Sequence, residues 1–573
     1  MPYEPLWIYP LNNPDWKKTI IDEFEIHPVI AQILVSRGFT DLETIHEYLY
    51  AKLPSLYPPG LMPDMDKAVA RISHALKNNQ RILIYGDNDV DGMTAATLLT
   101  EFLRKIGAKV FFYVPNRQEL RENILGEALQ FALKEDCKLL ITVDCGITAA
   151  KEVQKVTSHG VDVIITDHHE PTSKIPHCVA TLNPKLMGSS YPNRELTGVG
   201  VAFKLAHAIT NYLTENDELP VKIDLKDYLD LVALGTIADM GALLGENRIL
   251  VRYGLKTLKK TKRIGLIQLF QISDIDLPSL SLMEITSKVA PRLNSLGRIA
   301  DPTKGVELLL CKDEKAAELL AKELDLYNIE RQKIERKASE EIEEYLRENS
   351  SVLKDKALVL SSNKWHPGVI AIITARIAKA YNRPTVLISV DRDIGKGSLR
   401  TIPEFPLLQE LKKIEKLLIN YGGHDYAAGL TIHSDAIQEF KKQFIAAANK
   451  TLKDQDILSK LYLDAKIDFN ELTFDFMESL HLLEPFGNEN PPPILYADAE
   501  QTWPPKVVGK THLKMFLQQG DRILEGIAFN LVEKREEVRR KGVHLRIAFT
   551  PHINMFLSKA SIQLHIKDFQ LKN

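Results

Sequence analysis

The chain has 573 residues, 45% of them hydrophobic and 26% charged, with a formal net charge of −3. That is more chain than one hydrophobic core serves, so about three to four domains are expected, and the ordinary composition excludes a disordered or fibrous chain. Cys137, Cys145, Cys178 and Cys311 show no CxxC pairing and no ligand spacing, and the chain holds no apolar run near 18 residues and no basic-then-apolar leader; a disulfide framework, a zinc site and a membrane span are all disfavoured, and a soluble cytoplasmic chain is expected.

Residues 1–75 read as short helices broken by Pro54, Pro58, Pro59 and Pro63, an N-terminal extension whose role is not legible. From residue 76 to 303 strands alternate with helices: Arg81–Tyr85, Val110–Val114, Leu139–Val143 and Val161–Thr166 are short apolar strands, and Thr94–Ile106 is a helix. Near-continuous Val, Ile and Leu in such an alternation implies a parallel sheet covered on both faces, with chemistry beyond the carboxyl ends of the strands. Leu231–Asp239 reads as a further strand ending in a carboxylate. Residues 304–349 are expected to carry a connector helix, because Lys312–Asn349 holds no glycine or proline and is rich in Glu, Lys, Ala and Leu. A helix lying wholly within one domain fits the same pattern. A second α/β unit spans 350–455. From 456 to 573 short strands dominate, and from Glu500 onward 13 Lys and Arg stand against 7 Asp and Glu. A small basic barrel of OB type suits that stretch.

Polar residues gather at the strand ends. Gly86-Asp-Asn-Asp-Val-Asp-Gly92 places Asp87, Asp89 and Asp91 where a strand turns into a helix. Carboxylates so close repel one another unless cations neutralise them, and oxygen ligands suit Mg²⁺ or Mn²⁺. A solvated Asp-rich cap has the same residues. The EF-hand alternative lacks its acid, since the twelfth position counted from Asp87 is Leu98. The next ends supply Asp144, then Asp167-His168-His169-Glu170, then Asp239. Each motif alone has a structural explanation; four in succession make a constellation that a metal site explains better.

In order, Gly86–Gly92, Val143–Gly146, Thr166–His169 and Ala233–Asp239 resemble the four motifs of the DHH phosphoesterase superfamily, in its RecJ branch. The resemblance runs from about residue 30 to the end. It implies a parallel-sheet DHH catalytic domain, a connector helix, a DHH-associated domain and an OB-like domain. It also implies two divalent cations, Mn²⁺ or Mg²⁺, held by Asp89, Asp91, Asp144, His168 and Asp239, with Asp91 and Asp144 bridging. Asp87 and His169 would be ligands or adjacent groups holding the phosphate and water. Tyr85 stands where many relatives outside RecJ carry histidine, so the first cation would be held more weakly or by Asp87.

By the same resemblance Arg292 and Arg298, in Pro291–Arg298, serve the scissile region. His366, in Trp365–Val369, and Gly423 and His424, in Tyr421–Gly429, belong to the domain that closes over substrate. Ser398 and Arg400, with Arg117, form a pocket for a 5′-terminal phosphate. Lys506, Lys510 and Lys514 are candidate backbone contacts, though a solvated basic edge has the same composition. Asn88 replaces a usual aromatic, and Gln118–Ile124 replaces a Gly-Tyr-Gly type stretch, so terminal-base stacking is not carried over.

The implied activity is 5′→3′ hydrolysis of single-stranded DNA to 5′-mononucleotides, in repair and recombination, by a monomer working beside a single-strand-binding protein and a helicase. The alternatives are a phosphodiesterase for oligoribonucleotides or cyclic dinucleotides and a non-catalytic replication scaffold. An extended basic track is superfluous for the first, and the second typically loses the carboxylates that this chain keeps.

Overall fold

The computed structural model describes residues 4–116, 125–556 and 559–572. The first sheet contains β1 (Arg81–Gly86), β2 (Lys109–Tyr113), β3 (Cys137–Val143), β4 (Asp162–Thr166) and β5 (Ala180–Leu182), all parallel, in the order β2-β1-β3-β4-β5. Alternate residues point to opposite faces, and both faces are covered. Ile82 and Ile84 join one apolar core with Leu139 and Ile141, while Leu83 and Tyr85 join another with Leu140 and Val163. The chain leaves β1 towards β2 on one side and continues to β3 on the other. That reversal opens a crevice at the carboxyl ends of β1 and β3, where doubly wound sheets bind ligands.

The larger core also takes α1 (Met65–Lys77), α2 (Val90–Lys105), α3 (Gly198–Glu215), α4 (Leu229–Ala238) and α5 (Ala290–Ile299). The segment ending at Asp239, expected as a strand, is thus a helix. Every residue from Leu229 to Ile237 is buried, and a run that is apolar all round carries no period by which to tell a strand from a core helix.

Two departures concern boundaries. Thr303–Leu310 is a separate helix that buries Val306, Leu308 and Leu309 in the catalytic core. The connector, α6, therefore starts at Glu314 rather than 304 and runs to Glu348, capped by Asp313, which accepts from the Ala316 amide at 2.8 Å. Ala317, Ala321 and Leu324 of α6 join the catalytic core, whereas Ala338, Ile342 and Leu346 join the core of the next domain. Residues 1–75, in turn, form no separate unit: α1 belongs to the catalytic core, while Ile20, Ile30, Ile33, Leu34 and Leu49 pack with Leu495, Phe549 and Phe569 of the C-terminal barrel. Leu6–Ile8 even adds a parallel strand to Lys460–Tyr462.

The second domain holds β6 (Leu358–Ser362), β7 (Thr385–Asp391), β8 (Ile394–Arg400), β9 (Leu418–His424) and β10 (Ala427–His433), in the order β9-β10-β8-β7-β6, with α7 (Ile370–Tyr381) packed on it. In the third sheet β11 (Ala465–Lys466), β12 (Leu495–Gln501), β13 (Lys506–Val508), β14 (His512–Gln519), β15 (Arg522–Ala528), β16 (Val543–Phe556) and β17 (Lys559–Leu571) run β11-β12-β16-β17-β15-β14-β13. Because β12 pairs with both β16 and β14, five strands close on themselves as an OB-like barrel.

Arg248 fastens the barrel side of the molecule to the catalytic domain. Its buried guanidinium donates to the carbonyls of Tyr48, Leu482 and Leu483 at 2.8, 3.0 and 3.0 Å and stacks 3.9 Å from the Tyr48 ring centroid. Arg248→Ala would leave the Tyr48 carbonyl without its side-chain donor, at about 1–3 kcal/mol, and take one of several donors from the Leu482 and Leu483 carbonyls, which keep Arg252, Tyr48 and Asn490. The expected outcome is a thermal melt that separates into two transitions by calorimetry, with the barrel and its helices melting apart from the catalytic core.

Candidate metal centre

The site grows from local geometry at four chain turns. Asp87 follows β1 and accepts the Asn88 amide at 2.8 Å. Asp89 caps α2, accepting the Gly92 amide at 3.1 Å. Helix α2 starts at Val90, so Asp91 sits in its first turn and aims inward, where its two oxygens accept the Gly198 and Val199 amides at 2.7 and 2.9 Å. Those amides are otherwise-unpaired donors at the start of α3, a natural seat for an anion. Asp144 follows β3 with φ of 61°. A Cβ on Gly198 would overlap the Asp144 carboxylate, so only glycine lets α3 approach it.

These ends converge. His168 Nε2 lies 3.0 Å from Asp144 Oδ1, 4.0 Å from Asp91 Oδ2 and 3.9 Å from Asp239 Oδ2. Three overlapping groups, Asp87–Asp89–Asp144, Asp91–His168–Asp239 and Asp144–His168–His169, each bring ligand atoms within 4.8 Å of one another. Burial first, then the neighbouring carboxylates, lifts Asp87 and Asp91 to about 7 and Asp144 and Asp239 well above the ordinary range. Burial and the adjacent His169 push His168 down to about 3, leaving a neutral ring. Asp144 Oδ1, though buried, has no hydrogen-bond partner among the described residues. A buried acceptor facing a neutral imidazole and further carboxylates fits a divalent cation, and the mixed oxygen and nitrogen donors suit Mn²⁺ or Mg²⁺.

The adjacent histidines divide in character. Asp167 Oδ1 accepts His169 Nδ1 at 2.7 Å and the amides of His168 and His169 at 2.7 and 3.1 Å, while Oδ2 accepts Ile147 N at 2.9 Å. Burial disfavours a charged His169, but the Asp167 bond and the fields of Asp167, Asp87 and Asp239 outweigh it and hold the ring at about 9. At neutral pH the pair is one neutral ring and one imidazolium.

Between the catalytic and second domains lies a cleft of about 1480 Å³, lined by Arg298, His366 and Ser398 among others. Arg298 reaches the Gly368 carbonyl at 3.2 Å, and His366 Nδ1 accepts the Gly368 amide at 3.0 Å. Gly297 allows α5 to rest directly on the Asn88 carbonyl, in space that a Cβ would fill. Arg400 lies two residues beyond Ser398 on β8 and so shares its face; burial lowers its pKa, and its Nη1 donates to the Leu399 carbonyl at 2.8 Å. His424, exposed at the end of β9, is near enough to His168 to oppose its protonation, and Gly423 precedes it with φ of 146°.

Other expected residues are placed differently. Arg292 engages Asp325 of α6 at 2.9 Å and the Lys288 carbonyl at 2.6 Å, so its fork braces α5 against the connector. Arg117 and residues 118–124 lie outside the described residues. Lys506 and Lys510 are exposed on the barrel, whereas Lys514, opposite Lys506 across the strand pair, is held by Glu525 at 2.6 Å.

Sequence reasoning passed over several groups. Asn294, inside the quoted Pro291–Arg298 stretch, accepts the Val90 amide at 3.2 Å and so ties α5 to the start of α2. Asp167 was visible in its motif, but its orienting role was not. Lys185 stands 3.3 Å from Glu170 and 3.7 Å from Glu195, and its charge acts on both His168 and Asp239. No pattern joins Lys185 to His169 across the irregular loop between them.

Residues 81–236 match the DHH family, N-terminal domain; residues 354–453 match the DHHA1 domain; residues 463–568 match the RecJ OB domain. Over 566 residues the chain is 34% identical to the single-stranded-DNA-specific exonuclease RecJ of Bacillus subtilis (strain 168), a match covering 98% of this chain and 70% of that protein. It is similar in structure to RecJ from Thermus thermophilus in complex with Mn²⁺, with a TM-score of 0.83, 28% identity, and coverage of 99% of this chain and 80% of that one. The Mg²⁺ complex of the same protein gives a TM-score of 0.75 and 25% identity, covering 99% and 79%.

Asp87 and Asp91, raised to about 7, favour the cation-free fold at low pH, and that contribution is lost as pH climbs through 7 and they must ionise. Cations need the ionised form and remove its cost. The rise in Tm produced by Mn²⁺ should therefore be larger at about pH 8 than at about pH 6, measured by calorimetry on chelator-treated protein.

Proposed function

The chain belongs to the RecJ family of single-stranded-DNA-specific exonucleases, and on that footing we propose that it digests single-stranded DNA from the 5′ end, releasing 5′-mononucleotides by two-metal-ion hydrolysis. The observation that carries this reading is the convergence of Asp91, Asp144 and Asp239 on His168 Nε2, within 3.0–4.0 Å, from separate elements.

In this reading Asp89, Asp91, Asp144, His168 and Asp239 hold the two cations. The Gly198 and Val199 amides occupy one lone pair on each Asp91 oxygen, leaving others for metal. Bound Mn²⁺ or Mg²⁺ supplies an activated water at neutral pH and positive charge for the phosphate oxygens. His169, charged and oriented by Asp167, donates to a phosphate oxygen as negative charge builds there. Asp87 anchors water at the nest. Arg298, in the cleft wall, contacts the scissile region, while Arg292 acts through the brace it forms with Asp325.

Ser398 and Arg400, with Arg117, take the 5′-terminal phosphate; a strand that continues past this point has no terminal phosphate to offer, which accounts for end dependence. His366, Gly423 and His424 close over the strand, and the exposed Lys506 and Lys510, with Lys514 set between Lys506 and its own partner Glu525, guide its backbone along the barrel. Among the described residues no helix is long and apolar enough to cross a membrane. The proposed setting is that of the family: a cytoplasmic monomer in repair and recombination, beside a single-strand-binding protein and a helicase.

Asp144→Ala should cut nucleotide release from 5′-phosphorylated single-stranded DNA with Mn²⁺ by about a thousandfold or more. Equal rates in variant and wild type would refute the assignment. Substrates labelled at either end, a duplex, short RNA and a cyclic dinucleotide run side by side should show mononucleotides appearing first from the 5′ label of single-stranded DNA. Arg400→Ala should reduce the preference for a 5′-phosphate over a 5′-hydroxyl about tenfold, read as a ratio of kcat/KM values.

A further inference from the structure

Asp239 is held differently from Asp91. Asp91 accepts two backbone amides, whereas the Asp239 carboxylate, 28% exposed, accepts no hydrogen bond among the described residues. Its position depends on its backbone, the last turn of α4 and the reversal that follows. Met240 there has φ of 59°, a conformation disfavoured for a side chain of this kind, and its own side chain is 66% exposed, so packing does not hold it. Bonds from the Met240 and Gly241 amides to Ile237 and Thr236, at 3.2 and 3.0 Å, complete the helix end. The Met240 carbonyl is left over from that arrangement.

It is taken by a residue 248 positions away in the chain. Asn488 Nδ2 donates to the Met240 carbonyl at 2.7 Å, and the Asn488 carbonyl accepts the Leu243 amide at 3.0 Å. Gly487 lies so close to Leu243 that a Cβ would stand 2.5 Å from its Cδ1. The clasp thus grips both ends of the Met240–Leu243 turn.

The clasp is also rigidly mounted. Gly487 and Asn490 exchange backbone bonds at 2.8 and 3.2 Å. The Asn490 side chain is buried; its Nδ2 donates to the Leu483 and Pro485 carbonyls at 2.9 and 2.8 Å, and its Oδ1 accepts Tyr48 Oη and Arg37 Nη1 at 2.7 and 2.6 Å. A few residues on, the chain enters barrel strand β12.

We infer that Asn488 is a positioning residue for Asp239, through which the barrel side of the chain sets the geometry of the cation site. This rests on the metal-site reading above. Groups that orient a ligand without touching the metal typically contribute ten- to a hundredfold to its affinity, and Asn488 acts one residue along the backbone from Asp239.

The test is calorimetric titration of Mn²⁺ into chelator-treated wild type, Asn488→Ala and Asn488→Asp. The aspartate keeps the size of the side chain but faces the Met240 carbonyl with an acceptor, so it decides the matter if the alanine variant does not fold. Both variants should bind Mn²⁺ on the order of tenfold more weakly. Activity should fall at limiting Mn²⁺ and recover at excess Mn²⁺ with KM for DNA unchanged, which a general loss of structure would not produce. Folded Asn488→Asp that binds Mn²⁺ within about twofold of wild type would overturn the inference and leave the proposed function standing. Wild type that takes up no Mn²⁺ would overturn both.

Discussion

Crowded carboxylates at the mouth of β1 and β3 are the constraint around which the rest of this molecule is arranged. Burial makes Asp87, Asp91, Asp144 and Asp239 hard to ionise, and the charge of neighbouring carboxylates, that of Asp89 on all four, adds to the effect. Ionising Asp91 alone, held near 7 against an ordinary 3.8, costs on the order of 4 kcal/mol. That is a sizeable share of the roughly 5–15 kcal/mol by which a protein of this kind stays folded. Protons or cations must neutralise the nest, and the fold is built so that cations can: Gly198 leaves room beside Asp144, amides of α3 hold Asp91, and Asp167 keeps His169 charged while burial and His169 keep His168 neutral.

The remaining architecture brings other parts of the chain to that nest. Helix α6 spans from the core beneath it to the core of the second domain, which lines the far wall of the cleft with His366 and Ser398. The barrel, carrying the N-terminal helices in its own core, is bolted to the catalytic domain by Arg248 and reaches the Asp239 turn through Asn488. Under the proposed function, cleavage chemistry and strand guidance fall to different domains, joined through α6, Arg248 and Asn488.

Much of the site was legible because its residues stand at strand ends, where an apolar run stops and a polar turn begins. Asp87–Asp91, Asp144 and His168–His169 follow strands whose β-branched runs are hard to mistake. The α4 segment was misread as a strand, since burial on every side erases periodicity. The second failure was of partnership. Arg292 carries the same charge as Arg298, yet one lines the cleft and the other pairs with Asp325, and nothing local to either residue says which.

The sequence by itself determined the residue types, their order, the parallel-sheet class and the acid-and-imidazole character of the site, because these follow from composition and from patterns a few residues long. Tertiary structure alone decided the distances within the nest, the split between a neutral His168 and a charged His169, the joint packing of the N-terminal helices with the barrel, and the reach of Asn488 to Met240. Those depend on groups up to several hundred positions apart meeting in space, and hydrogen-bond partners and electrostatic fields are set by that meeting rather than by neighbours along the chain.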